Sequence, residues 1–186
     1  MAVIDQNLTL RKAQERLRTE EDPVLRRNLE RLLQHMRAEA SGDLDALMAT
    51  VSEQAHYHSY TGQGGPSPEG KAAVRRFYED FVASGASKLH HDIDRLVVDR
   101  HCILTEGIIR IAYPGRALGA MGIEVDDPDA DYLYEARMAI VWPIAEDGLF
   151  AGEDSYVDRN GFDGIAGRKI DPADIVLFDT APLATP

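Results

Sequence analysis

The stretch from residue 42 to residue 78 holds three segments in a row: Gly42-Asp43-Leu44-Asp45, Ala55-His56-Tyr57-His58-Ser59-Tyr60 and Gly70-Lys71-Ala72-Ala73-Val74-Arg75-Arg76-Phe77-Tyr78. Gly42 can end one helix and Asp43 can cap the next, because glycine adopts a left-handed conformation and aspartate accepts bonds from free amides. The middle segment is rich in aromatic residues, as strands are. Four glycines and two prolines in residues 61–70 predict a loop. The last segment predicts a helix with an apolar stripe.

The middle segment contains five consecutive side chains that can exchange a proton or a hydrogen bond. In a strand, successive side chains point to opposite faces. Tyr57 and Ser59 therefore share one face, and His56, His58 and Tyr60 share the other. Polar groups on a buried face are costly unless they are paired, so this strand is either an expensive core or the wall of a chemical site.

The flanking sequence completes an α+β pattern. Residues 8–41 predict helix, because leucines recur at helical spacing and Pro23 can restart a helix. Strand-like runs follow the Lys71 helix at residues 89–98, 102–113, 132–144 and 149–157, and Asp147-Gly148 predicts a hairpin turn. Residues 114–131 predict a long loop, and the residues beyond 158 an irregular tail. Helices segregated from an antiparallel meander indicate an α+β fold.

Composition excludes several classes of function. The chain has 186 residues, 44% of them apolar, and a net charge of -12, which argues against binding to nucleic acid or to anionic membranes. Cys102 is the only cysteine, so no intramolecular disulfide and no cysteine-rich metal site can form. The sequence shows no signal peptide and no apolar stretch of membrane-spanning length, so we expect a cytoplasmic protein.

The order and spacing of the three segments resemble the NTF2-like (SnoaL-like) superfamily. Its steroid isomerases carry a similar Gly-Asp-Leu-Asp turn and a similar helix with the sequence Gly-x-Ala-Ala-Ile-Arg-x-Phe-Tyr. The resemblance covers residues 25–158 and implies a cone, in which a curved antiparallel sheet wraps around helices and a central pocket. Residues 1–24 would then be a helical extension, and residues 159–186 a tail that covers the pocket or a partner subunit. The resemblance also implies a homodimer and an enzyme with no metal and no organic cofactor.

Comparison with the steroid isomerases assigns two positions. Their general base falls at Ser59, and because serine cannot act as that base, steroid isomerisation is disfavoured. Their oxyanion-stabilising tyrosine on the first long helix matches His35. An imidazole can also donate a hydrogen bond to an oxyanion, although a partly exposed helix histidine is an equal alternative.

Scytalone dehydratase, a second group in the superfamily, is the closer match in chemistry. Its pocket tyrosine matches Tyr57, or Ser59 if no gap is allowed, and its catalytic histidine matches His91. A further pocket histidine of that group falls near Tyr113. Its Phe-Ala-Gly segment corresponds to residues 150–152, which would turn Glu153 toward the pocket. A register shift of one residue would instead present Asp154 and Tyr156.

Three further groups of residues complete the predicted site. Arg137 could neutralise a phenolate or enolate, or could equally be a surface arginine paired with Glu135 or Asp131. Phe77 and Trp142 are predicted core residues that also line the pocket. His56 and His58 form a His-x-His pair, but the sequence signals no third ligand nearby, so we predict no metal site.

The resemblance to scytalone dehydratase and to a diarylpropane lyase of the same superfamily implies a cofactor-independent lyase, either a dehydratase or a C–C lyase, that acts on a mostly apolar, aromatic or phenolic molecule. His91 and Glu153 would transfer protons, with Tyr57 and His35 as further catalytic groups. Ser59, Tyr113 and Arg137 would bind substrate. One alternative is a non-catalytic binding or interaction module of the same fold. Weaker alternatives are a polyketide cyclase and an epoxide hydrolase.

Overall fold

A computed structural model describes residues 2–60, 65 and 67–179. Half of the predicted loop at residues 61–70 and the last seven residues of the tail lie outside the described residues. The helices are α1 (Arg11–Thr19), α2 (Pro23–Ser41), α3 (Leu44–Met48), α4 (Lys71–Ala83) and α5 (Gly115–Ala120). The strands are β1 (Ile4–Asp5), β2 (Val51–Tyr60), β3 (Leu89–Val98), β4 (Cys102–Pro114), β5 (Asp131–Pro143), β6 (Phe150–Val157), β7 (Lys169–Ile170) and β8 (Ile175–Val176).

The helix ends follow the local signals in the sequence. The helical region predicted at residues 8–41 divides into a 3-10 turn at Gln6–Leu10, then α1, and then α2, which restarts at Pro23. The Asp22 carboxylate accepts a hydrogen bond from Val24 N at 2.8 Å, which satisfies a free amide in the first turn of α2. Gly42 ends α2 with φ of 70°, and Asp43 accepts from Ala46 N at 3.0 Å to start α3.

The main sheet has six strands, with β2, β6, β5, β4 and β3 in that order and β7 paired to β5. Strands β3 to β6 form the predicted antiparallel meander. The prediction of a wholly antiparallel sheet was wrong at one edge, where β2 runs parallel to β6. After β2 the chain passes through α4 to the opposite edge of the sheet, where β3 lies. The meander then runs back across the sheet, so that its last strand, β6, lies beside β2. Register shifts in β2 and β3 bend the two edge strands.

Two segments predicted to be irregular contain regular structure. Residues 114–131 include α5, and the tail contributes β7 and β8. The buried side chains of Ile165 and Ile170 anchor this tail to the sheet. β8 pairs with β1 in parallel, and Phe178 N donates to Gln6 Oε1 at 3.1 Å, so the two ends of the described chain lie together. No helix of the described residues is both long and apolar enough to span a membrane.

The core lies between α2 and one face of the sheet. The apolar stripe of α2 packs against alternate residues of β4, β5 and β6 in a single cluster, whose large members include Leu29, Leu32, Leu33, Met36, Ile103, Ile140, Trp142 and Phe150. Alternation along β5 places even-numbered residues such as Tyr134, Ala136, Ile140 and Trp142 inside. This alternation determines which side chains can reach the interior of the cone.

The close approach of β4 to β3 depends on Gly107. A Cβ added there would lie 1.9 Å from the backbone carbonyl oxygen of Asp92, so the β3 backbone would have to move. We expect Gly107→Ala to lower the free energy of unfolding by about 3 kcal/mol, near the upper end for overpacking. Gly119→Ala is the control, because nothing lies within 4 Å of its added methyl group. Urea denaturation of both variants measures the difference, and equal stabilities would contradict the packing argument.

Candidate active site

The interior of the cone holds a mainly apolar cavity of about 140 Å³, the inner chamber. Its walls come from the N-terminal 3-10 turn, α2, α4 and strands β3 to β6. Most of the lining side chains are apolar or aromatic, and the few polar ones come from the 3-10 turn, α2, α4, β3 and β6. The lining residues are Thr9, Met36, Glu39, Phe77, Tyr78, Phe81, Leu89, His91, Ile109, Ile111, Met138, Ile140, Trp142, Glu153 and Ser155.

Glu153 is the centre of a buried hydrogen-bond network at one wall of the inner chamber. Tyr78 from α4 donates its hydroxyl hydrogen to Glu153 Oε1 at 2.8 Å. His35 from α2 places Nε2 3.2 Å from the same oxygen. The Glu153 side chain is only 16% exposed and His35 is fully buried, so solvent screens these contacts weakly. Burial and the charge of Glu153 raise the pKa of Tyr78 well above its usual range.

The hydrogen-bond partners of His35 fix where its hydrogens lie. Thr50 donates its hydroxyl hydrogen to the Leu47 carbonyl at 2.6 Å, so Thr50 Oγ1 must accept from His35 Nδ1 at 2.7 Å. Tyr78 has already given its hydrogen to Glu153, yet its oxygen lies 3.2 Å from His35 Nε2. His35 Nε2 therefore faces both the Tyr78 hydroxyl oxygen and Glu153 Oε1, and joins α2 to this network. His35 does not line the chamber and acts on Glu153 from behind.

Glu39 brings a second carboxyl group to the inner chamber, one helical turn after His35 on α2. Burial, together with the negative charge of Glu153, raises the pKa of the Glu39 carboxyl to about 7, and His35 partly opposes this rise. Near neutral pH Glu39 therefore exists both as an acid and as a carboxylate. Two carboxyl groups in one apolar space, one held by hydrogen bonds and the other with a raised pKa, suit an acid–base pair.

His91 faces the inner chamber from β3. Its side chain is 3% exposed, and burial lowers its pKa to about 4, so the ring is neutral at neutral pH. Nε2 of His91 is buried and has no hydrogen-bond partner among the described residues. The backbone amide of His91 donates to Thr9 Oγ1 at 3.1 Å, which holds this point of β3 against the N-terminal turn. An unpartnered buried nitrogen beside a cavity is suited to bind a polar atom of a ligand.

A wider cavity of about 510 Å³, the outer chamber, adjoins the inner chamber. The two chambers share Phe77, Phe81, Ile111 and Met138 as lining residues. Ser59 and Tyr113, both predicted to bind substrate, line the outer chamber and not the inner one. Burial raises the pKa of Tyr113 to about 12, so its hydroxyl stays protonated.

Tyr57 and Arg137 do not take the predicted positions. Tyr57 is 5% exposed and packs between α3, α4 and β2, and neither chamber includes it among its lining residues. Its buried hydroxyl makes no regular hydrogen bond within the described chain, but it lies close to Tyr78 and Glu153, and burial together with the charge of Glu153 raises the pKa of Tyr57 well above its usual range. Arg137 contacts Glu106 and donates to Asp94 at 2.7 Å. It lies outside both chambers because odd-numbered residues of β5 face away from the cone. Arg137 is therefore the surface arginine of the second alternative, but its partners are Glu106 and Asp94 in place of Glu135 or Asp131.

The faces of β2 and β6 agree with the alternation of the sequence. Glu153 and Ser155 line the inner chamber and Val157 the outer one, whereas Asp154 contacts His58 on the opposite face at 2.6 Å. His56, His58 and Tyr60 form a row of contacting rings on that outer face. Within the described ranges, no group of three or more histidine, cysteine or acidic side chains could hold a metal ion.

Two chamber residues, Glu39 and Tyr78, were not singled out as catalytic candidates from the sequence. The apolar stripe of α4 did place Tyr78 on the inner side, but its hydroxyl was not assigned a partner. A signal for Glu39 exists in the sequence, because His35 and Glu39 are four residues apart and fall on the same face of α2 as Leu32 and Met36. A charged residue within an apolar stripe is the feature that would have identified it.

The chain matches the sequence model of the SnoaL-like domain family over residues 32–152. Among solved structures it is similar to a candidate polyketide cyclase from Xanthomonas campestris, with 20% identity, a TM-score of 0.54, and coverage of 77% of this chain and 97% of that one. A candidate SnoaL-like polyketide cyclase from Shewanella putrefaciens gives 11% identity, a TM-score of 0.59, and coverage of 80% and 86%. An NTF2-like protein from Anabaena variabilis has 14% identity, a TM-score of 0.54, and coverage of 77% of this chain and 96% of that one.

No curated protein matches the sequence. The solved structures share so little sequence identity that they demonstrate a common fold and nothing about activity. The family match spans residues 32–152, which include the second half of α2, all of α4 and β3 to β5, and the first three residues of β6. The predicted NTF2-like fold is confirmed, and the chain belongs to the SnoaL-like domain family.

Proposed function

We propose that this protein is a cofactor-independent lyase that uses acid–base chemistry in the inner chamber on a mostly apolar aromatic molecule. The observation that carries the proposal is the pair Glu39 and Glu153, two carboxyl groups that line one apolar cavity in different surroundings. Glu153 is held by two hydrogen-bonding partners, and burial raises the pKa of Glu39 to about 7. A pKa near the working pH is the most effective for general acid–base catalysis.

The size of the inner chamber supports an aromatic substrate. An apolar cavity of about 150 Å³ in another protein binds one benzene molecule, and the inner chamber measures about 140 Å³. Phe77, Phe81 and Trp142 line it and offer faces and edges for ring contacts. One aromatic ring therefore fits the chamber, and the rest of a larger molecule extends into the outer chamber.

An elimination gives a role to Glu39, Glu153 and His91. Glu153 takes a proton from the carbon beside the leaving group, and the electron pair of that C–H bond becomes the new double bond. Glu39, in its acid form, gives its proton to the departing hydroxyl, the C–O bond breaks, and water leaves. His91 Nε2 hydrogen-bonds to the substrate and orients it. A phenolic hydroxyl on the ring would supply an electron sink of its own.

A polyketide cyclase is the second candidate, favoured by the names of two of the similar structures. Cyclisation by an aldol step also begins with removal of a proton from carbon, which Glu153 could perform. The outer chamber would then hold the part of the chain that is not reacting. The lyase proposal is preferred because the inner chamber accommodates a single ring and carries both an acid and a base.

Turnover of hydroxylated aromatic compounds tests the proposal. Purified protein is incubated with a panel of phenolic diols and short polyketide-like diketones, and products are identified by mass spectrometry. We expect loss of water or cleavage of a C–C bond in the phenolic set. Cyclised diketones as the main products would favour the cyclase, and an absence of products from both sets would favour a non-catalytic binding module.

His91→Ala is expected to lower the turnover of the active compound about 100-fold, within the range for loss of a positioned polar group at an active site. His101→Ala is the control, because His101 is an exposed histidine in the turn between β3 and β4. Steady-state rates for both variants give the comparison. Wild-type rates in His91→Ala would remove His91 from the mechanism.

A further inference from the structure

The two chambers differ in the sign of their charged residues. The charged side chains among the described residues lining the inner chamber are Glu39 and Glu153, both acidic. In the outer chamber the charged side chain is Arg159, which follows the end of β6. This contrast occurs in a chain of net charge -12, so a cationic wall is unusual for this protein. A ligand that spans both chambers therefore meets opposite electrostatic potentials at its two ends.

Arg159 keeps hydrogen-bonding capacity for a ligand. Its nearest acid is Glu135, with Arg159 Nη2 3.6 Å from Glu135 Oε1, which is too long for a hydrogen bond. Arg110 donates to the other oxygen of Glu135 at 2.8 Å and balances its charge. The Arg159 side chain is 57% exposed, so it can turn toward the chamber without giving up a buried contact.

The remaining polar groups of the outer chamber do not compete for Arg159. Tyr113 and Tyr134 are neutral at physiological pH, because burial raises the pKa of both hydroxyl groups. Asn160 uses its side-chain amide within its own turn, where it donates to Asp163 at 2.8 Å and accepts from Phe162 N at 3.2 Å. Among the described lining residues, Arg159 is the group best able to recognise an anion.

We propose that the substrate is an aromatic carboxylic acid whose ring lies in the inner chamber and whose carboxylate lies against Arg159 in the outer chamber. The inference rests on the proposed function and adds the polarity and orientation of the substrate. The acidic inner chamber repels the carboxylate and the guanidinium attracts it, so both ends favour the same orientation. Arginine presents paired N–H groups that match the two oxygens of a carboxylate.

Equilibrium binding tests this orientation without relying on turnover. Trp142 is the only tryptophan of the chain and lines the inner chamber, so its fluorescence reports on ring binding there. The probes are 4-hydroxyphenylpropanoate and the alcohol of the same length, which share the ring and the chain and differ in the terminal group, an anionic carboxylate in one and a neutral hydroxymethyl in the other. Each is titrated into the wild-type protein, Arg159→Gln and the control Arg95→Gln, which removes an exposed arginine from β3.

We expect the acid to bind wild-type protein roughly tenfold more tightly than the alcohol, as for a hydrogen bond to a charged group. Arg159→Gln should lose this preference, and Arg95→Gln should keep it. Equal binding of acid and alcohol to wild-type protein, or an unchanged preference in Arg159→Gln, would overturn the inference and leave the proposed function standing. Failure of both probes to change Trp142 fluorescence would count against the aromatic site itself.

Discussion

Glu153→Gln is expected to lower kcat by roughly 10²–10⁴-fold with little change in KM, as for loss of a general base. The glutamine oxygen can still accept the hydrogen bond from Tyr78, so the variant keeps the shape of the chamber. It cannot accept a proton from carbon, because a carboxamide is not a base near neutral pH. The measurement is the steady-state rate on the most active compound of the phenolic panel.

The adjacent residue supplies a matched control for Glu153. Asp154→Asn removes one carboxylate from the same strand, but Asp154 contacts His58 on the outer face. We expect its kcat to stay within about twofold of wild type, because alternation along β6 keeps residue 154 away from both chambers. A similar loss in the two variants would show that the effect comes from β6 stability, and a fully active Glu153→Gln would refute the role of Glu153 as base.

The fold follows from short-range signals that the sequence carries openly. Gly42 and Asp43 specify the end of α2 and the start of α3, and period-two alternation decides which side chains of β2 and β6 face inward. The same alternation correctly favours Glu153 over Asp154. The parallel pairing of β2 with β6 is different, because it depends on how far α4 carries the chain across the sheet, and no local pattern encodes that distance.

The candidate site was predicted in part. His91, Glu153, Phe77 and Trp142 do line one chamber, and His35 lies directly behind it. Tyr57 is inside and its hydroxyl lies close to Tyr78 and Glu153, but its ring packs against α3 and α4, and neither chamber includes it among its lining residues. Ser59 and Tyr113 line the second chamber. Alternation in the sequence predicts which face of a strand a side chain occupies. How deep in the cone that side chain lies depends on the geometry of the assembled sheet.

Glu39 shows why buried ionisable groups are missed. A glutamate near the end of a helix is ordinarily solvated, so its residue type argues for the surface. Here the residues four and three positions earlier, His35 and Met36, are buried, and the helix geometry brings Glu39 to the same face. Position within the stripe, and not residue type, is the informative property.

Glu39→Gln is expected to change the difference between the free energies of unfolding at low and high pH by about 3 kcal/mol. The pKa of Glu39 rises from an ordinary 4.5 to about 7 on folding, so between these values the folded protein binds more protons than the unfolded chain. The contribution of Glu39 is fully present below about pH 4.5 and is lost as the pH rises through about 7. The free energy of unfolding of Glu39→Gln, relative to that of wild type, should therefore be higher at pH 8 than at pH 4.5.

His91 changes the pH dependence of stability in the opposite direction to Glu39, and this makes the Glu39→Gln variant informative. Its pKa falls from 6.5 to about 4 on folding, so its contribution is present above about pH 6.5 and is lost as the pH falls through about 4. In wild-type protein the falling contribution of Glu39 and the rising one of His91 overlap and largely cancel from pH 4.5 to 6.5. Glu39→Gln should expose the His91 contribution as stability that increases with pH across this interval.

Urea denaturation from pH 4.5 to pH 8 measures this difference directly. Glu30→Gln is the control, because Glu30 is a glutamate of the same helix with a side chain 59% exposed. The free energy of unfolding of Glu30→Gln should run parallel to that of wild type, whereas the Glu39→Gln curve should cross it. Parallel curves for both variants would mean that Glu39 has the same proton affinity in the folded and unfolded states. The acid of the proposed mechanism would then be absent, because only a carboxyl group whose pKa has been raised by the chamber can hold a proton at neutral pH.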